Sequence, residues 1–307
     1  MEMKVGLALG SGAARGWSHI GIINGLAEMG IEPDIVSGSS IGALVGAAYA
    51  ADKIDLLQDW SCSLTWKEII RFLDPTLLGG GLIQGDKLIE FIGEHVENLE
   101  FEGLKRQLGV VATDLETGRE IWFREGSVVE AVRGSISLPG LFTPLHHQGR
   151  WLVDGGLANP VPVSLCRAMG AQIVIAVNLN GDILGKHLRN NSNEREKLAE
   201  VRGDDLWGRI TGQVKNSLYT RKKELMNRLL GENRNVPGLY EVLASSINIM
   251  QDRITRSRMA GDPPEVILAP RMSRLGLMEF DEAEMAIEEG LNEIRRMRPA
   301  LEQLFER

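Results

Sequence analysis

Two successive strand–turn–helix units, each hinged on glycine, constrain the fold of this chain more than any other feature. VGLALG (5–10) runs into GSGAARG (10–16) and a helical pattern, and DIVSG (34–38) runs into GSSIG (38–42) and IGALVGAAYA (41–50). In the first helix Trp17, Ile20, Ile23, Leu26 and Ala27 recur at helical spacing, and Gly30 stands where a helix of that length would end. Short Val- and Ile-rich runs that alternate with helices predict a mainly parallel sheet with helices on its faces. The sheet pattern returns at 108–115, 119–125, 150–156, 172–180 and 265–270, and an acidic helix follows from Asp281.

Composition narrows the function classes. The chain has 307 residues, 43% of them hydrophobic and 25% charged, as in an ordinary globular protein. Its net charge of −8 disfavours binding to a polyanion, so no nucleic-acid partner is expected. The longest strongly apolar run, 41–51, falls well short of the roughly 20 residues that span a bilayer. Lys4 is followed at once by a strand-like run, with no apolar signal region, and the expectation is a cytoplasmic protein. Cys62 and Cys166 cannot make a disulfide framework and are expected as reduced thiols.

We expect a single α/β domain over 1–307, with residues 53–98 forming a helical flap whose segments are separated by Gly79–Gly81. Residues 181–236 read as a polar insertion in which basic side chains outnumber acidic ones, and 265–307 as the last strand and C-terminal helix. Within the insertion, 206–230 sets Trp207, Ile210, Val214 and Leu218 on one helical face. That stripe suits either packing on its own domain or peripheral contact with the inner face of an anionic membrane.

The chemistry concentrates at the glycine turns. GSSIG fits the G-x-S-x-G pattern between an apolar strand and an apolar helix, the setting of a nucleophile elbow. Ser40 then sits at the N-terminal, electropositive end of a helix; the plainer alternative is an N-cap serine. GSGAARG offers backbone amides to a phosphate or to an oxyanion. The dinucleotide version wants an acid at the end of the second strand, where this chain has Ser39 and Ser40 instead. WLVDGGLANPVP (151–162) ends a strand in Asp154, at an active-site position or in a simple Asx-turn.

A histidine base fits poorly. Of His19, His95, His146, His147 and His187, only His187 follows Asp154, and it lies in the polar insertion. His146 and His147 read as a solvent-facing hairpin, and His19 as part of a helix core. A carboxylate remains, and Asp154 in an apolar, glycine-lined pocket would have its pKa raised toward the range useful for a general base. Asp114 is the rival, explained equally by its Glu-Thr-Gly turn.

The order GSGAARG, GSSIG and a distant Asp-Gly-Gly resembles the patatin-like phospholipases, and VGLALGSGAARGWSHIGIINGL with DIVSGSSIGALVGAAYA resembles the bacterial RssA-type subgroup in particular. The likeness continues through SISLPGLFTP (135–144) to DGGLANPVP (154–162). It implies a three-layer α/β/α patatin-like fold and a serine acyl hydrolase acting on lipid esters through a Ser–Asp dyad, with no cofactor and no metal. It makes Ser40 the nucleophile, Asp154 the base, and the amides around Ser11, Gly12 and Ala13 the oxyanion hole. Gly10, Arg15, Gly38, Gly42, Gly155 and Gly156 would support the site, as would Ser135 and Ser137. Many family members carry three glycines where this chain has Ser11, Gly12 and Ala13, and Ser and Ala enter left-handed backbone less readily. A lipid-binding or regulatory protein with little turnover is the alternative on the same fold.

Overall fold

The strand Val5–Leu9 (β1) is buried along its whole length, and its alternate residues serve two cores. Leu7 and Leu9 join the larger core with Ile20, Ile22 and Leu26, whereas Ala8 joins a smaller one with Val161, Val163 and Cys166. Burial on both faces is what a central strand covered by helices on either side requires. The computed structural model describes residues 3–65, 99–181 and 239–305. The expected helices beyond residue 65, the glycine cluster Gly79–Gly81 and the basic insertion, with its 206–230 stripe, lie outside the described residues.

After β1 come α1 (Ser18–Glu28), β2 (Ile35–Ser39), α2 (Ile41–Ala50), α3 (Ile54–Ser63), β3 (Gln107–Asp114) and β4 (Glu120–Phe123). Then follow α4 (Val128–Ser135), β5 (Leu145–His147), β6 (Arg150–Asp154), α5 (Val163–Ala168), β7 (Ile173–Val177), α6 (Leu239–Gly261), β8 (Val266–Leu268) and α7 (Ala283–Phe305). Contacts divide the chain into two compact units, Met1–Asp182 with Met250–Arg307, and Ile183–Ile249. The sheet belongs to the first. Among the described residues it has eight strands; β1 pairs in parallel with β2 and β7, β2 with β3, and β7 with β8. This is the expected α/β fold with a mainly parallel sheet flanked by helices.

β4, β6, β7 and β8 are shorter than the apolar runs that mark them. β7 stops at Val177 because the Asn178 side chain takes the Asn180 amide at 3.1 Å, an Asx-turn. α4, α5 and α6 are absent from the periodicity reading. α4 did carry a start signal: Ser127 Oγ accepts the Glu130 amide at 3.3 Å, in a Ser-x-x-Glu arrangement.

The register around β3 decides where the site forms. Val110 and Val111 pair with Gly38 and Ser39 of β2 and also with Phe123 and Trp122 of β4, so these two strands occupy opposite edges. Ala112 and Thr113 pair with β4 and also with Asp154 and Val153 of β6, so β6 lies on the β2 edge. β2 and β6 therefore follow one another along a single edge of β3, running toward each other. Their C-terminal residues, Ser39 and Asp154, stand opposite adjacent residues, Val111 and Ala112.

Helices α1 and α7 cross at glycines. A Cβ on Gly21 would lie 1.9 Å from the Ile287 carbonyl oxygen, and one on Gly290 would lie 2.1 Å from that of Ser18. Backbone cannot yield as a side chain can, so either position filled must push the helices apart. Gly21→Val and Gly290→Val are expected to destabilise the protein by about 1–3 kcal/mol or more, read from urea unfolding midpoints at unchanged m-value.

Candidate active site

β2 ends at Ser39 and α2 begins at Ile41, so Ser40 alone makes the reversal. It does so at φ 57° and ψ −125°, a left-handed conformation that costs a non-glycine residue about 1–3 kcal/mol. The bend needs glycine on either side for space: a Cβ on Gly42 would stand 2.2 Å from the Leu9 carbonyl oxygen, and one on Gly38 2.4 Å from that of Gly42. The Ser40 amide donates to Ser135 Oγ at 2.8 Å, and Ser135 Oγ donates to the Val111 carbonyl at 2.6 Å. These bonds hold the strained residue against β3.

Asp154 arrives from the opposite direction on β6. Ser40 Oγ donates to its Oδ2 at 2.5 Å, and the Gly156 amide donates to its Oδ1 at 2.8 Å. Its own amide donates to the Ser137 carbonyl at 2.9 Å, and its carbonyl accepts from Thr113 Oγ1 at 2.8 Å. The residue is 1% exposed. Burial disfavours the charged carboxylate and raises its pKa to about 6, against the opposing pull of the Ser40 and Gly156 hydrogen bonds. Gly155 lets the turn lie on β3, since a Cβ there would meet the Val111 carbonyl oxygen at 2.1 Å.

The glycine loop 10–16 closes the arrangement, with a different distribution of amides from the one expected. The amides of Gly10, Ser11 and Ala14 donate to the carbonyls of Val177, Pro160 and Leu277 at 3.1, 2.8 and 3.1 Å. Ser11 therefore drops out of the expected trio of backbone donors, because its N–H is already engaged by the proline loop. Among the described residues the amides of Gly12 and Ala13 meet no acceptor. Arg15 Nε donates to the Gly12 carbonyl at 3.1 Å, and in a trans peptide this directs the Ala13 N–H the opposite way. Only Ala13 of the three takes a left-handed φ, 51°, while Gly12, at φ 170°, is extended. Gly12 is needed for space, since a Cβ there would meet Leu179 at 2.5 Å.

Arg15 is 2% exposed, and desolvation lowers its pKa to about 10. It lies inside the protein under the loop. His19 is also buried, its pKa lowered to about 4 by desolvation, and its Nε2 lies 2.8 Å from the Gly10 carbonyl. Since a carbonyl only accepts, the ring is neutral with the proton on Nε2.

The competing candidates are held elsewhere. Burial works against the Asp114 carboxylate, but the amides of Glu116 and Thr117 and the Thr117 hydroxyl outweigh it and lower its pKa, as an Asx-turn would. His147 pairs with Glu130 at 2.9 Å, and His146 lies against the Trp151 ring. His95 and His187 are outside the described residues. Among the described residues no cluster of three His, Cys, Asp or Glu side chains is placed to hold a metal ion.

Sequence reasoning missed Pro160 and Leu277, whose carbonyls hold the loop amides. Pro160 falls within the quoted ANPVP run but drew no attention, because its contribution is a carbonyl. Leu277 carries no local signal.

Chemically, a hydroxyl bonded to a buried carboxylate that titrates near neutrality can pass its proton on as it attacks a carbonyl carbon. The patatin-like phospholipase family model matches residues 7–167. An uncharacterized NTE family protein of Mycobacterium tuberculosis is 31% identical over 313 residues, covering 91% of this chain and 87% of the relative. A second from the same organism is 29% identical over 94% of this chain and 45% of the relative. Patatin-like phospholipase domain-containing protein 6 of Mus musculus is 33% identical over 57% of this chain and 13% of its own length. VipD from Legionella pneumophila superimposes with a TM-score of 0.45 at 14% identity, over 97% of this chain and 67% of that one. The two mycobacterial relatives carry the NTE family name, where the motifs alone resembled the RssA-type subgroup. With its family model matched over more than half its length and its glycine loop, bend and acid at the C-terminal ends of β1, β2 and β6, this chain belongs to the patatin-like phospholipase family.

Proposed function

We propose that this protein is a serine acyl hydrolase that cleaves carboxylic esters of lipids through an acyl-enzyme, with Ser40 as nucleophile and Asp154 as base. The observation that carries this reading is the 2.5 Å hydrogen bond from Ser40 Oγ, on a strained bend, to a fully buried carboxylate. Membership of a phospholipase family supplies the lipid character of the substrate.

Asp154 takes the Ser40 proton as Oγ attacks the ester carbonyl carbon, and the amides of Gly12 and Ala13 receive the oxyanion. Collapse of the tetrahedral intermediate breaks the bond to the alkoxy oxygen, and protonated Asp154 gives its proton to the departing alcohol. Water, deprotonated by the same carboxylate, then attacks the acyl-serine; the fatty acid leaves and Ser40 regains its proton. Peripheral contact with the inner face of a membrane would bring such a site to its substrate.

Ser40→Ala and Asp154→Asn are each expected to lower hydrolysis of a p-nitrophenyl acyl ester by about 10³-fold or more while far-UV circular dichroism stays native. Ser40→Ala should also lose labelling by a fluorophosphonate probe. Full activity in either folded variant would refute the dyad, and an unlabelled wild type would favour a lipid-binding protein.

Asp154 works as a base only when ionised. kcat/KM is therefore expected to fall as pH drops through about 6, giving an acid limb near that value in a pH profile.

The same group sets a stability difference of opposite sense. Because the folded pKa lies above the ordinary 3.8, the native state binds more protons between these values, and stability falls as pH rises from about 4 to 6. Asp154→Asn removes that loss, so it is expected to be more stable than wild type at pH 8, by up to about 3 kcal/mol, with the gap closing toward pH 4. Urea unfolding at the two pH values measures this.

A further inference from the structure

The C-terminal end of α4 and the residues just after it touch both halves of the dyad. Ser135 Oγ accepts the Ser40 amide at 2.8 Å, and two residues on the Ser137 carbonyl accepts the Asp154 amide at 2.9 Å. One turn of backbone thus sets where the bend and the acid stand relative to each other. Its own position is fixed by Arg133, a buried side chain of α4. Arg133 Nη1 donates to Ser137 Oγ at 2.6 Å, and Nη2 donates to the Thr143 carbonyl at 3.0 Å and to Thr143 Oγ1 at 2.9 Å. Ser137 Oγ in turn donates to the Arg133 carbonyl at 2.8 Å. The planar guanidinium therefore ties together both ends of the loop that leaves α4, a task its fork of donors can perform and a lysine ammonium cannot duplicate.

We infer that Arg133 is a positioning residue for the dyad, setting the Ser40–Asp154 separation through Ser137 on one side and the adjoining Ser135 on the other. This rests on the Ser–Asp reading above and extends it to a residue with no contact to the reacting atoms. Without the clamp, the Ser137 carbonyl drifts, the Asp154 amide loses its fixed acceptor, and the bond between Ser40 Oγ and Asp154 lengthens. That bond favours the ionised carboxylate, so its loss should move the Asp154 titration upward.

The charged and titratable groups on the elements around Asp154 are engaged elsewhere. Asp114 on β3 faces its own turn and Arg150, Glu120 on β4 faces Arg258 and Asn159, Glu130 on α4 pairs with His147 on β5, Arg15 holds the Gly12 carbonyl, and His19 is neutral. Burial raises the Asp154 pKa, and the hydrogen bonds from Ser40 and Gly156 oppose it.

The test compares wild type, Arg133→Met and Arg133→Lys by two readouts. The first is a carbon-13 NMR titration of the Asp154 carboxyl, assigned by its absence in Asp154→Asn. The second is the pH profile of kcat and KM on a soluble short-chain ester. Arg133→Met is expected to raise the Asp154 midpoint by about half a pH unit or more and to lower kcat about 10- to 100-fold at near-constant KM. Arg133→Lys should recover part of both. If Arg133→Met does not fold, Arg133→Lys alone should show the same shift in smaller measure.

A midpoint at the wild-type value in the folded variants, with kcat reduced only in proportion to the folded fraction, would overturn the inference. The NMR arm keeps the two readings separate. Ester hydrolysis independent of Ser40 would remove the proposed function, while the titration would still decide whether Arg133 positions Asp154.

Discussion

The site depends on one arrangement of hydrogen-bonded strands: β2 and β6 share an edge of β3 and run toward each other until their ends nearly meet. A parallel strand alone would leave Ser40 at the sheet's rim with open space beyond it. An antiparallel strand entering from the far side places Asp154 one ladder position on, inside the protein and within hydrogen-bonding reach. The pairing also explains how a carboxylate can be so deeply buried. Removing an ionised group from water carries a large penalty, and here the Ser40 hydroxyl and Gly156 amide offset part of it while the remainder appears as a raised pKa.

Around this contact the backbone holds conformations that a chain optimised for stability would avoid. Ser40 and Ala13 both have positive φ without being glycine. Each is held by a neighbouring side chain: Ser135 takes the Ser40 amide, and Arg15 takes the carbonyl preceding Ala13. A buried carboxylate and two left-handed residues gathered at strand ends fit a fold in which function opposes local stability. The tight glycine contacts elsewhere, between α1 and α7 above all, supply dense packing that can bear such strain.

The glycine loop shows how far apart in sequence the parts of one small feature can be. Its amides are oriented by carbonyls from residues 160, 177 and 277, and its own carbonyls by His19 and Arg15. The substitutions that depart from a run of three glycines are accommodated differently. Ser11 needs no unusual φ, Gly12 is retained where Leu179 leaves no room for a Cβ, and Ala13 accepts the left-handed conformation.

Local pattern was enough to read the βαβ units, the bend at Ser40 and the turn at Asp154. Each of these is governed by a few neighbouring residues: periodic apolar side chains, and glycines where backbone must pass close to backbone. The short helices α4 and α5 escaped because six to eight residues carry too little periodicity, although Ser127 and Glu130 marked the start of one. Which amides of the glycine loop stay unengaged, what Arg133 reaches and how deeply Asp154 is buried were decided only in three dimensions. Those properties depend on strand register and on carbonyl groups, and every residue carries the same carbonyl whatever its side chain.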